Sequence, residues 1–265
     1  MIQSKKIISA LAIALVAICT SVQADTLANI KQRNKVLVGI DLTFAPFGSM
    51  DAAMKPMGSD VSAAKMLAKD LGVELEIVQL TGPNRVPYLL TGKVDMVISS
   101  FSITPERKKV IDFSVPYSVS ESVILAPKSV QITKLQDLAG KRIGLVRGNL
   151  QENLLKPIAP EGMIPVRFDD DASNVVALLS GQVDALGGSK ELLPNIAKQS
   201  PEKQVESKLS IGILPHGIGI RKEDTSLLNW TNQWVMANLK NGRLSNSYKE
   251  AVGFPLPDMS QFMPK

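Results

Sequence analysis

Residues 99–107 read SSFSITPER, and the stretch before them, Val94-Asp95-Met96-Val97-Ile98, is apolar but for Asp95. Val94–Ile98 has the length and branching of a strand inside a parallel sheet. Ser100 and Ser102 alternate with Phe101 and Ile103, so an extended backbone puts both hydroxyls on one side and both apolar groups on the other. Thr104-Pro105-Glu106 then opens a helix: a hydroxyl at the N-cap, proline at the first position, an acid in the first turn. A buried strand therefore passes into a helix through a run of hydroxyls, the βα junction of an α/β fold.

Arg107 opposes the dipole of that helix, which points to a use for its guanidinium beyond helix stability. One reading is a surface arginine paired with Glu106 or Asp112. The other is that Ser100, Ser102 and Arg107 converge on a carboxylate. A guanidinium fork matches a carboxylate bidentately, and hydroxyls fill the remaining lone pairs.

SSFSITPER followed by KKVIDFSVPY resembles the signature of the periplasmic polar-amino-acid-binding proteins of ABC importers, bacterial extracellular solute-binding protein family 3. The resemblance runs from about Val36 to the last helices. It implies an α/β fold of type II, with two lobes, a two-strand hinge and a ligand cleft between them. It also implies that Arg107, Ser100 and Ser102 hold the ligand's α-carboxylate, and that the partner is a membrane ABC permease.

The start of the chain agrees with export. Lys5-Lys6 precede an apolar run from Ile7 to Cys19, and Val22-Gln23-Ala24 matches a small-residue cleavage site, so a signal peptide over residues 1–24 is expected. A lipid anchor at Cys19 is disfavoured by Ile18, where lipidation signals carry a small residue. Without Lys5 and Lys6 the formal charge falls from +5 to +3, too little and too dispersed for nucleic acid. Cys19 is the single cysteine, so the expected mature chain has neither disulfide nor thiol nucleophile. Its length suits one large domain or two of about 120 residues, and one copy per functional unit is expected.

An internal echo favours two: LLTGKVDMV at 89–97 returns as LLSGQVDAL at 178–186. In each copy a helix ends at glycine and a strand opens with Val-Asp. Strands are expected over Val36–Asp41, Val73–Leu80 and Val94–Ile98, with helices Asp60–Leu71 and Arg85–Thr91. Strands Ile143–Val146, Pro165–Phe168 and Val183–Leu186, with helices from Leu150, over Ala172–Ser180 and near Leu192, repeat the alternation. Ile211–Leu214 and Ile218–Ile220 lead back to the long helix Thr225–Leu239. Crossings near Ser118–Ser122 and Leu214–His216 divide the chain into a first lobe, 25–119 plus 215–265, and a second, 120–214.

Ligands in open α/β sheets lie beyond the carboxyl ends of strands, which selects Asp41 and Phe44 after the first strand. Phe44 aligns with the family's ligand-facing aromatic, whereas Phe47 reads as core and Asp60 as a helix cap. Asn84-Arg85 resembles the acidic-amino-acid binders of the family, whose arginine meets a side-chain carboxylate; a solvated arginine opening a helix is the alternative. In the second lobe, Gly148-Asn149-Leu150-Gln151-Glu152 resembles the G-T-T-Q-E turn that grips the α-carboxylate. Asn149 can cap the helix, and the backbone N–H of Leu150 suits an anion. Ser189 stands where the family has the aspartate that pairs the ligand's ammonium, so Glu191 or Asp41 becomes the substitute acid. The ligand is then an amino acid or a dicarboxylate.

Three features are read as structural. Asp169-Asp170-Asp171 caps a helix rather than holding calcium. Met50, Met54 and Met57 pack as a lid rather than binding copper. His216, the single histidine, lies at a crossing and excludes a histidine-based hydrolytic centre or metal site, and no cofactor is called for. Two other functions are open to this pattern: a cyclohexadienyl-dehydratase-like enzyme on the same fold with Glu191 as acid, and a stand-alone solute sensor.

Overall fold

The computed structural model describes residues 25–222 and 224–264. The expected signal peptide lies outside the described residues. The strands are β1 Lys35–Asp41, β2 Ser49–Met50, β3 Pro56–Met57, β4 Glu74–Leu80, β5 Met96–Val97, β6 Ile111–Phe113, β7 Ser118–Pro127, β8 Arg142–Val146, β9 Ile164–Phe168, β10 Ala185–Ser189, β11 Val205–His216 and β12 Gly219–Arg221. The helices are α1 Thr26–Gln32, α2 Ser59–Leu71, α3 Arg85–Leu90, α4 Pro105–Lys108, α5 Leu150–Leu155, α6 Asp171–Ser180, α7 Leu193–Gln199, α8 Thr225–Lys240 and α9 Arg243–Val252.

The first sheet runs β4-β1-β5-β12-β6 and the second β11-β7-β10-β8-β9. In the first, β1 is parallel to both β4 and β5; in the second, β8 is parallel to both β9 and β10. Val36, Val38 and Ile40 alternate along β1 and are fully buried with Val61, Ala64 and Leu67 of α2 and with Leu227 and Val235 of α8. That is the period of a strand meeting the period of a helix, and it fixes the register of the lobe. The mixed α/β fold with two lobes is therefore as the sequence led us to expect.

The echo between 89–97 and 178–186 has a physical basis. Gly92 and Gly181 both adopt left-handed backbone, with φ of 72° and 77°, and end α3 and α6. In the first lobe Asp95 accepts the Leu37 N–H at 2.7 Å and pairs with Arg33. In the second, Asp184 accepts the Arg142 N–H at 2.8 Å and pairs with the Arg142 guanidinium at 2.7 Å. Each aspartate thus ties its strand to the neighbouring parallel strand of its own sheet.

Between β6 and β7 the chain leaves the first sheet, and between β11 and β12 it returns. β7 and β11 pair antiparallel from Ser118 opposite His216 to Pro127 opposite Val205, with two register shifts. These strands form the two-strand hinge. The SSFSITPER segment is stitched to them: Ile103 N donates to the Pro215 carbonyl at 2.9 Å, and Gly217 N to the Phe101 carbonyl at 3.1 Å.

Several local expectations change. Only Met96–Val97 of Val94–Ile98 forms regular strand, because β12 meets it at a single register position. Helices α1 and α9 and strand β6 were not read from the sequence. Phe47 is buried as expected but not inside one lobe: it joins a cluster with Val123, Val175, Leu178 and Tyr248, so a first-lobe loop packs onto the second lobe. Asp60 is not the helix cap; Gly58 takes that place and Asp60 lies in the first turn.

Candidate functional site

Arg107 is held by its own helix start. Thr104 Oγ1 accepts the Arg107 N–H at 3.3 Å, and Pro105 occupies the first helical position. Because α4 is only four residues long its dipole is small, so the dipole conflict read from the sequence carries little weight. The guanidinium lies 4.8 Å from the centre of the Phe101 ring. Its Nη1 donates to the Ser102 carbonyl at 2.8 Å and its Nη2, across to the second lobe, to the Gly148 carbonyl at 2.9 Å. Pairing with Asp112 does not occur; Asp112 lies 3.6 Å from Lys222. Among the described residues no carboxylate pairs with Arg107. Burial, then the nearby Arg85, lowers its pKa to about 9. The charge of Glu106 acts against this shift without a hydrogen bond to the guanidinium, so a partly desolvated cation stands beside the gap between the lobes, which favours an incoming anion.

Ser100 and Ser102 line the gap between the lobes, which Arg107 itself does not, and they reach it other than by strand alternation. Ser100 has a positive φ of 42°, a left-handed conformation that costs a non-glycine residue. The turn aims its Oγ at Asp60 Oδ2, to which it donates at 2.8 Å. Tyr117 Oη donates to Asp60 Oδ1 at 2.7 Å and accepts the Ser100 N–H at 3.1 Å. With its one proton given to Asp60, the Ser100 hydroxyl offers only lone pairs to the gap, as an acceptor for N–H groups. Burial raises the Asp60 pKa to about 6, against the hydrogen bonds from Tyr117 and Ser100.

Arg85 is 3 % exposed, so the solvated reading fails. Every nitrogen of its guanidinium meets a protein acceptor: Nε the Ser99 Oγ at 3.1 Å, Nη1 the Asn149 Oδ1 at 3.0 Å, and Nη2 the Asp41 Oδ2 at 3.4 Å. Asp41 also accepts from the N–H and hydroxyl of Thr43, at 3.0 and 2.6 Å. Asn149 stands at the N-cap position of α5 but makes no side-chain cap, contrary to expectation. Its amide bridges the lobes, accepting from Arg85 and donating to Asp171 Oδ2 at 3.1 Å. The Asp169–Asp171 run splits accordingly. Asp170 caps α6 by accepting the Ser173 N–H at 2.7 Å, while Asp171 turns inward. Burial, then Asp41, raises the Asp171 pKa to about 7.

The gap between the lobes measures about 10 Å³. Phe44, Arg85, Ser100 and Ser102 line it from the first lobe, Asn149, Leu150 and Gln151 from the second, and Ser120 and His216 from the hinge. His216 Nδ1 and Nε2 lie 3.0 Å from Ser118 Oγ and Ser120 Oγ, and Gln151 Nε2 donates to Ser122 Oγ at 3.1 Å. Burial, then Arg85 and Arg107, lowers the His216 pKa to about 3, so the ring is neutral. These hinge residues were missed. The signal was present as serines at 118, 120 and 122, a period of two that places three hydroxyls on one face of a strand.

Asp41 and Ser189 are not brought to the gap. Asp41 is taken by Arg85, and Ser189, fully buried, donates to Glu191. Glu191 also accepts from Tyr248 Oη at 3.3 Å, and burial raises its pKa. Among the described residues no acidic side chain lines the gap. Met50, Met54 and Met57 lie on or beside the β2–β3 hairpin and stay partly exposed; Met50 and Met57 line a groove facing α6 and α7. Among the described residues no group of three histidine, cysteine or acidic side chains is placed to hold a metal, and no helix is long and apolar enough to cross a membrane.

Two lobes on a two-strand hinge, with an arginine bonded only to backbone carbonyls at their junction, define a solute-binding protein. The chain belongs to the bacterial extracellular solute-binding proteins, family 3, whose model matches residues 36–253. It is 35% identical over 209 residues to the glutamine-binding protein of Geobacillus stearothermophilus, covering 77% of this chain and 79% of that one. It is 29% identical over 239 residues to the L-cystine-binding protein of Escherichia coli, covering 88% and 90%. Among solved structures, a mutant of the arginine-binding protein of T. maritima superposes with a TM-score of 0.79 at 32% identity, covering 86% and 99%. The L-cysteine receptor of Neisseria gonorrhoeae gives 0.79 at 31%, covering 85% and 92%.

Proposed function

We propose that this protein is the substrate-binding component of an ABC importer, exported to the periplasm after cleavage behind Ala24, which captures an amino acid and delivers it to a membrane permease. The lobes are 25–119 plus 215–265 and 120–214, and the protein acts as a single copy without catalysing a reaction. The observation that carries the reading is Arg107: a half-buried guanidinium that reaches from the first lobe to the second and whose hydrogen bonds go only to backbone carbonyls. The ligand's carboxylate takes the place of those weaker acceptors, assisted by the backbone N–H of Leu150. Its ammonium is received by Ser100, which has no proton to offer it, and by Ser102, while Phe44 packs on its aliphatic part.

Arg85 is already neutralised by Asp41, so a second acid in the ligand has no cation left to meet, and a monocarboxylate amino acid fits better than a dicarboxylate. Glu191 is hydrogen-bonded to Ser189 and Tyr248 and does not line the gap, which supports a binding role over a dehydratase that uses it as general acid. Charge-assisted bonds of about 1.5–3 kcal/mol each, offset by desolvation and closure, are consistent with roughly micromolar affinity. Closure follows binding because the ligand touches both lobes. A thermal-shift screen over amino acids, dicarboxylates and prephenate, on protein unfolded and refolded to strip carried-over ligand, tests the reading. Stabilisation by amino acids without turnover supports it; turnover of prephenate overturns it.

A further inference from the structure

His216 is buried at the hinge, and each of its ring nitrogens meets a serine hydroxyl: Nδ1 lies 3.0 Å from Ser118 Oγ and Nε2 3.0 Å from Ser120 Oγ. The two serines stand two residues apart on β7 and so share one face of that strand, beside His216 of the paired strand β11. The ring is neutral, and a neutral imidazole carries one N–H and one bare nitrogen. One serine therefore accepts a proton from the ring and the other gives up its own. Of the two, Ser120 lines the gap. With the proton on Nε2, Ser120 accepts from the ring and keeps an O–H to direct at a ligand; with the proton on Nδ1, it donates to the ring and faces the gap with lone pairs alone.

The surrounding charges choose between the two. Ser120 shares the lining of the gap with Arg85, and the guanidinium groups of Arg85 and Arg107 both act on the ring. Ser118 follows Tyr117, whose hydroxyl donates to the Asp60 carboxylate at 2.7 Å. A bare nitrogen toward the cations and an N–H toward the acid is the favourable orientation of the imidazole dipole.

We infer that His216 carries its proton on Nδ1 and so turns Ser120 into an acceptor, which joins Ser100 and Ser102 as a third hydroxyl oxygen for the ligand's ammonium. The inference rests on the amino-acid reading above and deepens it. An ammonium brings three N–H donors. Ser100 gives its proton to Asp60 and Ser120 its proton to His216, so neither turns an O–H toward the incoming charge. Ser189, at the place of the family's aspartate, is bound to Glu191 and does not line the gap. Ser120 is thus a binding residue and His216 the residue that positions it.

Because His216 is the single histidine, magnetic resonance of the mature chain, labelled with the heavy nitrogen isotope at histidine, reads one ring. Nε2 is the nitrogen correlated with both carbon-bound ring protons, and it is expected to be the unprotonated one at neutral pH. A protonated Nε2 overturns the inference and leaves the amino-acid reading standing. Calorimetric titration of the same chain, stripped by refolding, then compares L-glutamine with glutaramate, L-cysteine with β-mercaptopropionate and L-alanine with propionate, pairs that differ by the ammonium alone. At least one amino acid is expected to bind about a hundredfold more tightly than its deaminated counterpart. Ser120→Ala and His216→Phe, their folds checked by circular dichroism, are each expected to cut that ratio by about tenfold. Structural damage alone weakens both members of a pair and leaves the ratio unchanged. An unchanged ratio in Ser120→Ala overturns the role given to Ser120. Should a variant fail to fold, the tautomer of the unaltered protein still decides. Deaminated compounds that bind the unaltered protein as tightly as the amino acids overturn the amino-acid reading as well.

Discussion

Arg107 of the first lobe donates to the Gly148 carbonyl of the second at 2.9 Å, so the same guanidinium that is bonded only to backbone carbonyls also spans the cleft. An anion placed there gains a half-buried cation and draws the two lobes together. Replacing Arg107 by alanine is expected to abolish ligand-induced thermal stabilisation and lower affinity by about tenfold to a hundredfold or more per lost charge-assisted bond. The ligand-free melting temperature should change little, since the side chain supports no core cluster. Arg107→Lys keeps the charge but not the fork and should recover only part of the affinity.

Gly82 gives a separate handle on closure. The clash of an added Cβ is with Asn149 and Arg147, both on the facing lobe, rather than within its own. Gly82→Ala should therefore leave the ligand-free protein as stable as before while weakening ligand affinity and enlarging the radius of gyration measured with ligand. Equal compaction of variant and parent would contradict a tight contact at this point.

Asp60 controls the polarity of Ser100. With its pKa raised to about 6 by burial, it is mostly ionised at pH 7.5 and mostly protonated at pH 5. A protonated carboxyl can donate to Ser100 in place of accepting, which frees the serine proton and turns the hydroxyl into a donor facing the ligand's ammonium. Affinity for an amino acid should fall by about tenfold from pH 7.5 to 5, and Asp60→Asn should show the weaker affinity without the pH step. Titration calorimetry at both pH values decides this.

His216 works against the fold in acid. Its pKa is lowered from 6.5 to about 3 by burial, so below pH 6.5 the unfolded chain takes up a proton that the folded chain refuses, and stability falls. At pH 5 that amounts to about 2 kcal/mol. Asp60 and Asp171 act in the opposite sense. Their folded pKa values, about 6 and about 7, lie above the unfolded ones, so the folded chain takes up protons first and gains stability as the pH falls. In the parent the histidine offsets only part of the carboxylate gain. His216→Gln should expose the carboxylate contribution, its melting temperature rising between pH 7 and 5 more than the parent's does.

Much of the fold was legible because its signals are local. The αL glycines at 92 and 181, the alternation Val36-Val38-Ile40 and the Thr104-Pro105 helix start each need only neighbours in sequence to be read. The repeated Val-Asp pointed to duplicated architecture, although the role of each aspartate, tying one strand to the next, belongs to the tertiary structure. α1 and α9 went unread for the opposite reason. Short amphipathic helices at the ends of the chain take much of their stability from the elements they dock on, here α8 and, for α9, α2 as well.

The candidate site divides in the same way. By itself the sequence determined the type II α/β family, the position of Arg107 after a strand and a run of hydroxyls, and the absence of an acid at Ser189. Only the tertiary structure decided which polar groups remain available to a ligand. Arg85 and Asp41 neutralise one another, Asn149 bridges the lobes, Asp60 takes the Ser100 proton, and His216 joins the floor of the gap. Those outcomes depend on pairings between residues tens of positions apart. A side chain's chemistry is fixed by its type, but its remaining hydrogen-bonding capacity and its charge are fixed by whatever the fold buries beside it.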